Sequence, residues 1–276
     1  MDEKFKKLEE YLINLKKVLI AFSGGVDSTF LLKVCLDVLG KENVLAVTAR
    51  SSTYPSRELE EAKELAKSLG ANHEIIVSEE LEVPGFSENP PERCYYCKKE
   101  LFGKLVKIAR ERGFNFVLDG SNADDAGDFR PGMKAKDELG VKSPLKEAGL
   151  TKAEIRALSQ KMGLPTWNKP SFACLASRFP YGERITGEKL DRVGRAEEIL
   201  RGLGFSQYRV RNHADLARIE VLPEEIERFF ERSLREKVVA EFKKLGFVYV
   251  SLDLTGYRTG SMNEGLKEEE KALWKS

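Results

Sequence analysis

The chain has 276 residues, enough for one large domain or for a medium domain and a small one. Its 46 Lys and Arg residues nearly balance 45 Asp and Glu residues, which leaves a formal net charge of +1. This balance argues against a protein that holds long nucleic acid or an anionic membrane through a general positive field.

Strand and helix signals alternate along the first 120 residues. Four short apolar runs predict buried strands at 17–22, 43–49, 73–78 and 114–120. Amphipathic stretches that end at glycine predict helices at 28–40, 56–70 and 98–113. The alternation is typical of an α/β fold, a doubly wound parallel sheet with helices on both faces. Its ligand site should lie at the carboxyl ends of the strands.

The middle of the chain has a different texture. Residues 121–145 are loop-rich, and Thr151 with Glu154 forms a capping-box signature at the start of a predicted helix. Residues 164–186 show little periodicity. Irregular stretches of this length are usually functional or disordered, and the aromatic and apolar residues here favour a functional role.

A second group of elements begins at residue 187. The pattern predicts a helix, two strands joined as a hairpin, another helix and a last strand, at 187–203, 207–212, 216–221, 224–246 and 247–254. We expect a first domain over 1–185, a smaller carboxy-terminal α+β domain for substrate binding or oligomerisation over 186–257, and a disordered tail over 258–276. No apolar run approaches the roughly 20 residues of a membrane span, so we expect a soluble, cytoplasmic protein without membrane contact.

The clearest local motif is SGGVDS at residues 23–28, between a predicted strand and a predicted helix. Its glycines allow a tight backbone turn, so that amides and the hydroxyls of Ser23 and Ser28 can converge on an anion at the helix amino terminus. The Gly-Lys-Ser/Thr ending of a Walker A loop is missing. The motif resembles the pyrophosphate loop (PP-loop) of the N-type ATP pyrophosphatases, which include GMP synthetase, NAD synthetase and several thiolation enzymes.

This resemblance implies that ATP adenylates a carboxylate or carbonyl oxygen of the substrate and that pyrophosphate is released. Asp27 would help to hold the Mg²⁺ that neutralises the pyrophosphate. Arg57 and Arg130 are candidate phosphate partners, and each fits a solvated surface charge equally well. The residues expected around ATP are Ala21, Ser23, Gly24, Gly25, Val26, Asp27, Ser28, Thr48, Arg57, Gly120 and Asp125.

Three of the four cysteines lie where chemistry is expected. Cys94 and Cys97 form a Cys-x-x-Cys pair at a predicted helix start, Cys174 lies in the irregular segment, and Cys35 is expected in the core. Neither of the two histidines has a zinc-site spacing to these thiols. Three thiolates suit a [4Fe–4S] cluster with one open iron. The alternatives are a redox-active pair with Cys174 as a separate nucleophile, or inert buried thiols.

The motifs together are similar to one family, the LarE sulfur transferases, over nearly the whole chain. The matching segments are SGGVDS at 23–28, CYYC at 94–97, DGSNADD at 119–125, DFRPG at 128–132, SPL at 143–145 and PSFACLASRFPYGERIT at 170–186. The resemblance implies that Cys174 either gives up its own sulfur or joins Cys94 and Cys97 in holding an iron–sulfur cluster that carries a transferable sulfide. Because all three cysteines are present, it implies the cluster-dependent subtype, a sulfide donor and a homo-oligomer.

The family's substrate is a pyridinium dicarboxylate mononucleotide, whose carboxylates become thiocarboxylates, and residues of the second domain fit such a molecule. Arg209 and Arg211 lie two apart on a predicted strand, so both project from one face and can form a cationic fork for a phosphate. Glu220 on the neighbouring strand can orient these arginines or a metal. The family match favours this interpretation over an ordinary polar sheet face.

Catalysis is expected from Cys174, Asp27 and Ser177. Ser177 and Arg178 follow Cys174 closely enough to contact adenylate or substrate. By contrast, the helix residues Glu197 and Glu198 are expected to be solvated charges.

Other functions compete with sulfur transfer to a small nucleotide. A tRNA-thiolating enzyme also pairs a PP-loop with cysteines, but the near-neutral charge and the lack of an RNA-binding module make nucleic acid an unlikely partner. An amide-forming enzyme of the GMP or NAD synthetase type would leave the three cysteines unexplained. A non-catalytic protein that binds ATP or an iron–sulfur cluster would release no pyrophosphate.

Overall fold

The computed structural model of the chain describes residues 2–125, 131–170, 173–258 and 260–266. Its larger sheet contains the parallel strands β1 (Val18–Ala21), β2 (Val44–Arg50), β3 (Asn72–Val77) and β4 (Phe116–Leu118). They lie in the order β3-β2-β1-β4, so the path of the chain across the sheet reverses between β1 and β4. Ligands of doubly wound sheets bind at such a reversal, beyond the carboxyl ends of the strands. The predicted fold class and strands are confirmed.

Helices cover this sheet and flank a second one. Within the described residues they are α1 (Asp2–Leu15), α2 (Val26–Leu39), α3 (Ser56–Ser68), α4 (Arg93–Glu111), α5 (Gly132–Glu138), α6 (Pro144–Glu147), α7 (Lys152–Lys161), α8 (Gly187–Gly202) and α9 (Arg232–Lys244). None of these helices of the described chain has both the length and the apolar character needed to cross a membrane.

The strands of the larger sheet are buried on both faces. Along β1, Val18 and Ile20 belong to a core shared with α1 and α2, whereas Leu19 between them belongs to a core shared with α4. Successive side chains of a strand point to opposite faces, so a sheet covered on both sides needs continuous apolar runs. The continuous apolar runs of the predicted strands therefore indicate that helices cover both faces of the sheet.

A smaller sheet follows in the chain, formed by β5 (Tyr208–His213), β6 (Leu216–Val221) and β7 (Tyr249–Leu252). The first two strands form the predicted antiparallel hairpin, and β7 pairs in parallel with β6 after the crossover through α9. The core under this sheet also takes in Phe86 and Phe179 from the first part of the chain. The two parts are therefore packed against each other.

One expectation for the last 50 or so residues is wrong. The single helix expected at 224–246 is a 3₁₀-helix, Pro223–Phe230, followed by α9. The break accompanies tertiary packing, because Phe229 stacks on Phe205 with ring centroids 5.1 Å apart. Within the tail expected to be disordered from 258, the described residues Ser261–Gly265 form a further 3₁₀-helix, with Ser261 buried. Residues 267–276 lie outside the described residues.

Thr151 begins α7 with the capping box that the sequence predicts. Its hydroxyl accepts a hydrogen bond from the Glu154 N–H at 3.3 Å, and the Glu154 carboxylate accepts one from the Thr151 N–H at 2.9 Å. Because the next residue, Lys152, lines the cleft described below, the cap also fixes one end of a functional surface.

We expect Thr151→Ala to lower the free energy of unfolding by about 1 kcal/mol, because one backbone N–H at the start of α7 loses its acceptor. Urea denaturation measures this change. Thr151→Ser retains the hydroxyl and is the matched control, which should stay close to wild type. Equal stabilities for the alanine and serine variants would contradict a capping role.

Candidate active site

A cleft of about 780 Å³ opens beyond the carboxyl ends of β1 and β4. It is lined by the PP-loop, the segment after β4, the start of α4, and residues of the second sheet with the segment that follows it. Predicted site residues that line this cleft are Ala21, Ser23, Gly25, Asp27, Ser28, Cys94, Gly120, Asp125, Ser177, Arg209 and Arg211. The fold thus brings together residues that lie up to about 190 positions apart.

The PP-loop leads into a helix whose amino terminus has no side-chain cap. Gly25 precedes α2 in an extended conformation and offers the first-turn amides no acceptor, so these N–H groups are available to an anion. Gly24 has φ +64°, and a Cβ on it would lie 3.0 Å from the Cβ of Ala62 in α3. Glycine is therefore required there by both conformation and space. Val26 contributes its side chain to the core.

Hydroxyl groups hold the loop in shape. The Oγ atoms of Ser23 and Ser28 lie 3.0 Å apart, and the Tyr54 hydroxyl donates to the Ser23 carbonyl at 2.8 Å. Gly120 closes the other side, because a Cβ there would lie 3.0 Å from the Ser28 nitrogen. Backbone from β4 therefore packs directly on the first turn of α2, which explains a glycine at the end of that strand.

Asp27 has partners that the sequence did not reveal. Its carboxylate forms an ion pair with Lys152 and accepts a hydrogen bond from the Asn122 side chain at 3.3 Å. Lys152 is the first residue of α7 and lies 125 positions away in sequence. A lysine in an amphipathic helix is usually a solvated charge, so no local signal marked it.

A second charged cluster lies in the same cleft. Lys136 is buried and donates to Asp119 at 2.7 Å, to Ser121 at 2.7 Å and to Ser143 at 3.2 Å. Burial alone would raise the pKa of Asp119, but the Lys136 cation and the serine hydroxyls outweigh it and lower that pKa. The SPL and DGS motifs thus meet at the Asp119 carboxylate, whose partners are not evident from local sequence.

Four of the residues predicted to contact ATP do not line the cleft: Gly24, Val26, Thr48 and Arg57. The Thr48 hydroxyl is buried and donates to the Phe22 carbonyl at 2.7 Å. Arg57 pairs with Glu58 at 2.7 Å and Glu61 at 3.3 Å and lines a second cavity, which Gly24 of the PP-loop and Arg209 also line. The side chains of Thr48 and Arg57 thus have internal partners in this structure, and their contact with ATP stays a prediction. Arg130 lies outside the described residues.

Cys94 and Cys97 lie in the first turns of α4, and Cys174 is near enough for its charge to influence Cys97. Cys94 and Cys174 are exposed, and Cys97 is half-buried with its Sγ 3.9 Å from Glu80 Oε1. Burial raises the pKa of Cys97, and the charges of Glu80, Cys174 and Cys94 raise it further. Desolvation also raises the pKa of Cys174, which Arg93 lowers in part. The remaining cysteine, Cys35, is fully buried in the core, as predicted.

Arg178 and Glu197 overturn two expectations. Arg178 has no exposed surface, and its Nε and Nη2 atoms each donate to the Glu197 carboxylate at 2.8 Å. Its Nη1 donates to the Ala173 carbonyl at 2.8 Å and the Cys174 carbonyl at 3.2 Å. Arg178 therefore fixes the backbone at residues 173–177, the cysteine turn, instead of contacting a substrate. Glu197 is not a solvated charge. Glu198 is exposed, as expected.

Arg209 and Arg211 both reach the cleft, as their spacing on one strand requires. Arg211 makes a bidentate pair with Glu220 at 2.9 and 2.7 Å and donates to the Ser177 carbonyl at 2.8 Å. Glu220 is fully buried, so it orients Arg211 and has no surface for direct substrate contact. Burial, with the nearby cation of Arg178, lowers the pKa of Arg209 to about 10.

Fold and site together define a class. A parallel sheet whose first strand passes through SGGVDS into an uncapped helix, with a cleft at the point of reversal, is the arrangement of the PP-loop enzymes. Residues 3–87 match the family described as NAD synthase.

Whole-chain relatives narrow this class. The chain is 47% identical over 266 residues to the uncharacterized protein slr1717 of Synechocystis, covering 96% of this chain and 99% of that protein. It is 43% identical over 263 residues to the pyridinium-3,5-bisthiocarboxylic acid mononucleotide synthase of Lactiplantibacillus plantarum, covering 95% of each. It is 30% identical over 259 residues to protein MJ0830 of Methanocaldococcus jannaschii, covering 94% of each. The chain therefore belongs to the LarE family, the sulfurtransferases of the PP-loop class.

The close packing at Gly120 gives a test of the cleft. We expect Gly120→Ala to weaken ATP binding at least about tenfold, because the added methyl group must push the first turn of α2 away from its position. Isothermal titration with ATP measures the loss. Gly103→Ala is the matched control, since a Cβ at this α4 position meets no atom within 4 Å. A similar loss in both variants would count against the packing argument.

The buried pair of Lys136 and Asp119 predicts a change in pH dependence. Lys136→Met should lower stability by about 3–5 kcal/mol at about pH 7, because it leaves a buried carboxylate without its cation. In wild type the lowered pKa of Asp119 gives stability that is present above its unfolded value of about 3.9 and is lost as pH falls through the folded value. In the variant burial should raise that pKa.

Acidification to about pH 5 should therefore reduce the difference in free energy of unfolding between Lys136→Met and wild type. Denaturant unfolding at both pH values measures this. The double variant Lys136→Met/Asp119→Asn removes the titrating group and should show a deficit that does not change with pH. A pH-independent deficit in the single variant would contradict the pairing.

Proposed function

We propose that the protein is an ATP-dependent sulfur transferase that converts a carboxylate of a pyridinium dicarboxylate mononucleotide into a thiocarboxylate. The observation that carries this proposal is one cleft lined jointly by the PP-loop, the thiol of Cys94 and the arginines of β5. The name of the Lactiplantibacillus plantarum relative supports the class of product. A PP-loop alone would be compatible with amide formation, but amide formation would leave the Cys94 thiol in the same cleft without a role.

The reaction has two steps. A carboxylate oxygen of the substrate attacks the α-phosphorus of ATP, the bond to the β-phosphate oxygen breaks, and an acyl adenylate and pyrophosphate result. A sulfur nucleophile then attacks the acyl carbon, and the bond between that carbon and the AMP oxygen breaks. The thiocarboxylate forms when the sulfur separates from its carrier. Adenylation is needed because AMP is a far better leaving group than oxide.

The chain's own residues bind the nucleotide. The amides at the start of α2, with the Ser23 and Ser28 hydroxyls, would hold the phosphates that leave as pyrophosphate. Asp27 is the carboxylate in reach of a Mg²⁺ on those phosphates, which would neutralise their charge. Lys152, which pairs with Asp27 in this structure, can then serve a phosphate oxygen. The role predicted for Asp27 therefore involves Lys152 as well.

The thiols fit an iron–sulfur cluster by their chemistry. Three soft donors lie within electrostatic reach of one another. No three His, Cys, Asp or Glu side chains of the described ranges are grouped closely enough to hold a single metal ion. Cysteine thiolates are the ligands that hold iron–sulfur clusters in proteins. Cys94, Cys97 and Cys174 would hold a [4Fe–4S] cluster, which when bound supplies a transferable sulfide at its open iron.

The arginines of β5 would hold the substrate phosphate. Arg211 is oriented by Glu220, so its guanidinium is fixed before a ligand arrives. It also donates to the Ser177 carbonyl and thereby connects the phosphate end of the cleft to the Cys174 turn. The lowered pKa of Arg209 reflects a buried cation whose charged form a phosphate would stabilise.

We also propose a cytoplasmic homo-oligomer that takes sulfide from an external donor. The described cysteines are free, as a reducing compartment would keep them. Phe230, Tyr249 and Leu254 are exposed on the second part of the chain. Apolar side chains of this size at a surface support burial against another copy.

Adenylation gives the first test. With nicotinic acid mononucleotide, a pyridinium carboxylate, the protein should release pyrophosphate and AMP from ATP, and with nicotinamide mononucleotide it should release none. Cys174→Ser should retain pyrophosphate release and lose thiocarboxylate formation, because activation does not need the thiol. Cys35→Ala, which changes the buried fourth cysteine, is the matched control and should retain both. Absence of pyrophosphate release with any carboxylate would favour a non-catalytic binding protein.

The route of the sulfur gives the second test. Anaerobic protein should be brown, with about four irons per chain, and Cys94→Ala should be colourless. After turnover with sulfide the mass of the Cys174 peptide should be unchanged. If Cys174 instead donates its own sulfur, that peptide loses one H₂S and the protein turns over once. Iron analysis and peptide mass spectrometry distinguish the two routes.

A further inference from the structure

A buried cation beside the thiols has only neutral partners. Arg93 is the first residue of α4, is 3% exposed and lines the cleft. It donates to Asn89 Oδ1 at 2.8 Å and to Met262 Sδ at 3.5 Å, and its guanidinium lies 5.0 Å from the ring centroid of Tyr181. Within the described part of the chain it forms no ion pair.

Three other buried cations of the cleft and its surroundings are each paired with a carboxylate. The pairs are Lys136 with Asp119 at 2.7 Å, Arg178 with Glu197 at 2.8 Å, and Arg211 with Glu220 at 2.7 Å. Burying a charge without a counter-ion is costly, so proteins normally pair such groups. Arg93 departs from that rule at the wall of an open cleft, where an anion from solution can supply the missing charge.

The guanidinium is held in place for this role. Asn89 is fully buried, and its Nδ2 donates to the carbonyls of Phe179 at 3.3 Å and Pro180 at 2.6 Å. Its Oδ1 is therefore directed at Arg93 and cannot rotate away without breaking these bonds. A fixed guanidinium loses little conformational entropy when it binds an anion.

The surroundings indicate which anion the site takes. Arg93 directly precedes Cys94 in the chain, and its charge reaches Cys174. The amides at the start of α2 and the arginines of β5, proposed above to bind phosphates, belong to other parts of the cleft. We propose that Arg93 is the binding site for a small sulfur anion, hydrosulfide, which it holds beside Cys94 and Cys174. This inference rests on the proposed sulfur transfer, for which such an anion is the incoming reagent.

Alkylation of Cys174 tests the site without ATP or cluster. The full-length reduced protein, purified without added iron, is treated with iodoacetate or with neutral iodoacetamide, and the Cys174 peptide is followed by mass spectrometry. The ratio of the iodoacetate rate to the iodoacetamide rate measures attraction of the anionic reagent, because a change in thiol ionisation affects both rates equally. Arg93→Met should lower this ratio at least about fivefold, and Arg93→Lys should retain most of it.

Arg258→Met is the matched control, because Arg258 lines the same cleft but pairs with Glu264 at 3.1 Å. Its ratio should stay at the wild-type value. An equal fall in both variants, or an unchanged ratio in Arg93→Met, overturns the proposal. Because this experiment uses no nucleotide, its failure is distinct from a failure of adenylation.

A second measurement identifies the anion. Crystals soaked in iodide, a soft monovalent stand-in for hydrosulfide, should show anomalous density at the Arg93 guanidinium in wild type and none in Arg93→Met. If Arg93 instead held a substrate carboxylate, Arg93→Met would abolish any preference for nicotinic acid mononucleotide over nicotinamide mononucleotide in a binding titration. Loss of that preference overturns the assignment to sulfur, and its retention supports it.

Discussion

The buried pair of Arg178 and Glu197 is the interaction on which the arrangement of the cleft depends. The Arg178 guanidinium holds the carbonyls of Ala173 and Cys174, and the Glu197 carboxylate accepts a hydrogen bond from the Val210 amide of β5 at 3.0 Å. One ion pair thus joins the cysteine turn, α8 and the strand that carries the cleft arginines. Removing one partner of a buried pair costs about 3–5 kcal/mol. Here it would also release the turn from the sheet.

This connection explains why the second sheet belongs to the enzyme. Arg211 and Ser177 are joined by a hydrogen bond, so the part that would hold a phosphate is attached to the turn that carries the thiol. Phe86 and Phe179 continue this attachment in the apolar core beneath. A ligand that contacts both the PP-loop and β5 therefore meets groups whose separation is set by packed structure. Orientation of reactants by such fixed groups is a major source of catalytic rate.

Sequence patterns predicted correctly those structural features that depend on neighbouring residues. The PP-loop, the Thr151 cap and the hairpin at 208–221 each depend on residues a few positions apart, and each formed as expected. Residues whose role depends on a distant partner were misjudged or missed. Arg178 resembled a substrate ligand because nothing near it shows that Glu197 lies beneath it.

Lysines were missed for a related reason. Lys136 and Lys152 lie in helices with many charged residues, where a lysine is normally solvated. Their roles appear only when the fold brings Asp119 and Asp27 to them. The segment at 261–265 lies in the tail that was expected to be disordered, yet its Ser261 is buried and its hydroxyl lies 3.0 Å from the Arg211 guanidinium. In each case the deciding partner is at least 17 positions away.

The pairing of charges also explains how a nearly neutral protein can select charged ligands. With Lys152 on Asp27, the PP-loop presents a balanced ion pair to solvent. A free phosphate that entered would place its charge beside the Asp27 carboxylate, and like charges in a partly buried site repel strongly. Under the proposed function, a phosphate that arrives with a divalent cation would satisfy both groups, because the cation would replace Lys152 at Asp27 and leave the lysine for the phosphate. The ion pair would then favour metal-bound nucleotide over bare phosphate, although the formal net charge of the protein is only +1.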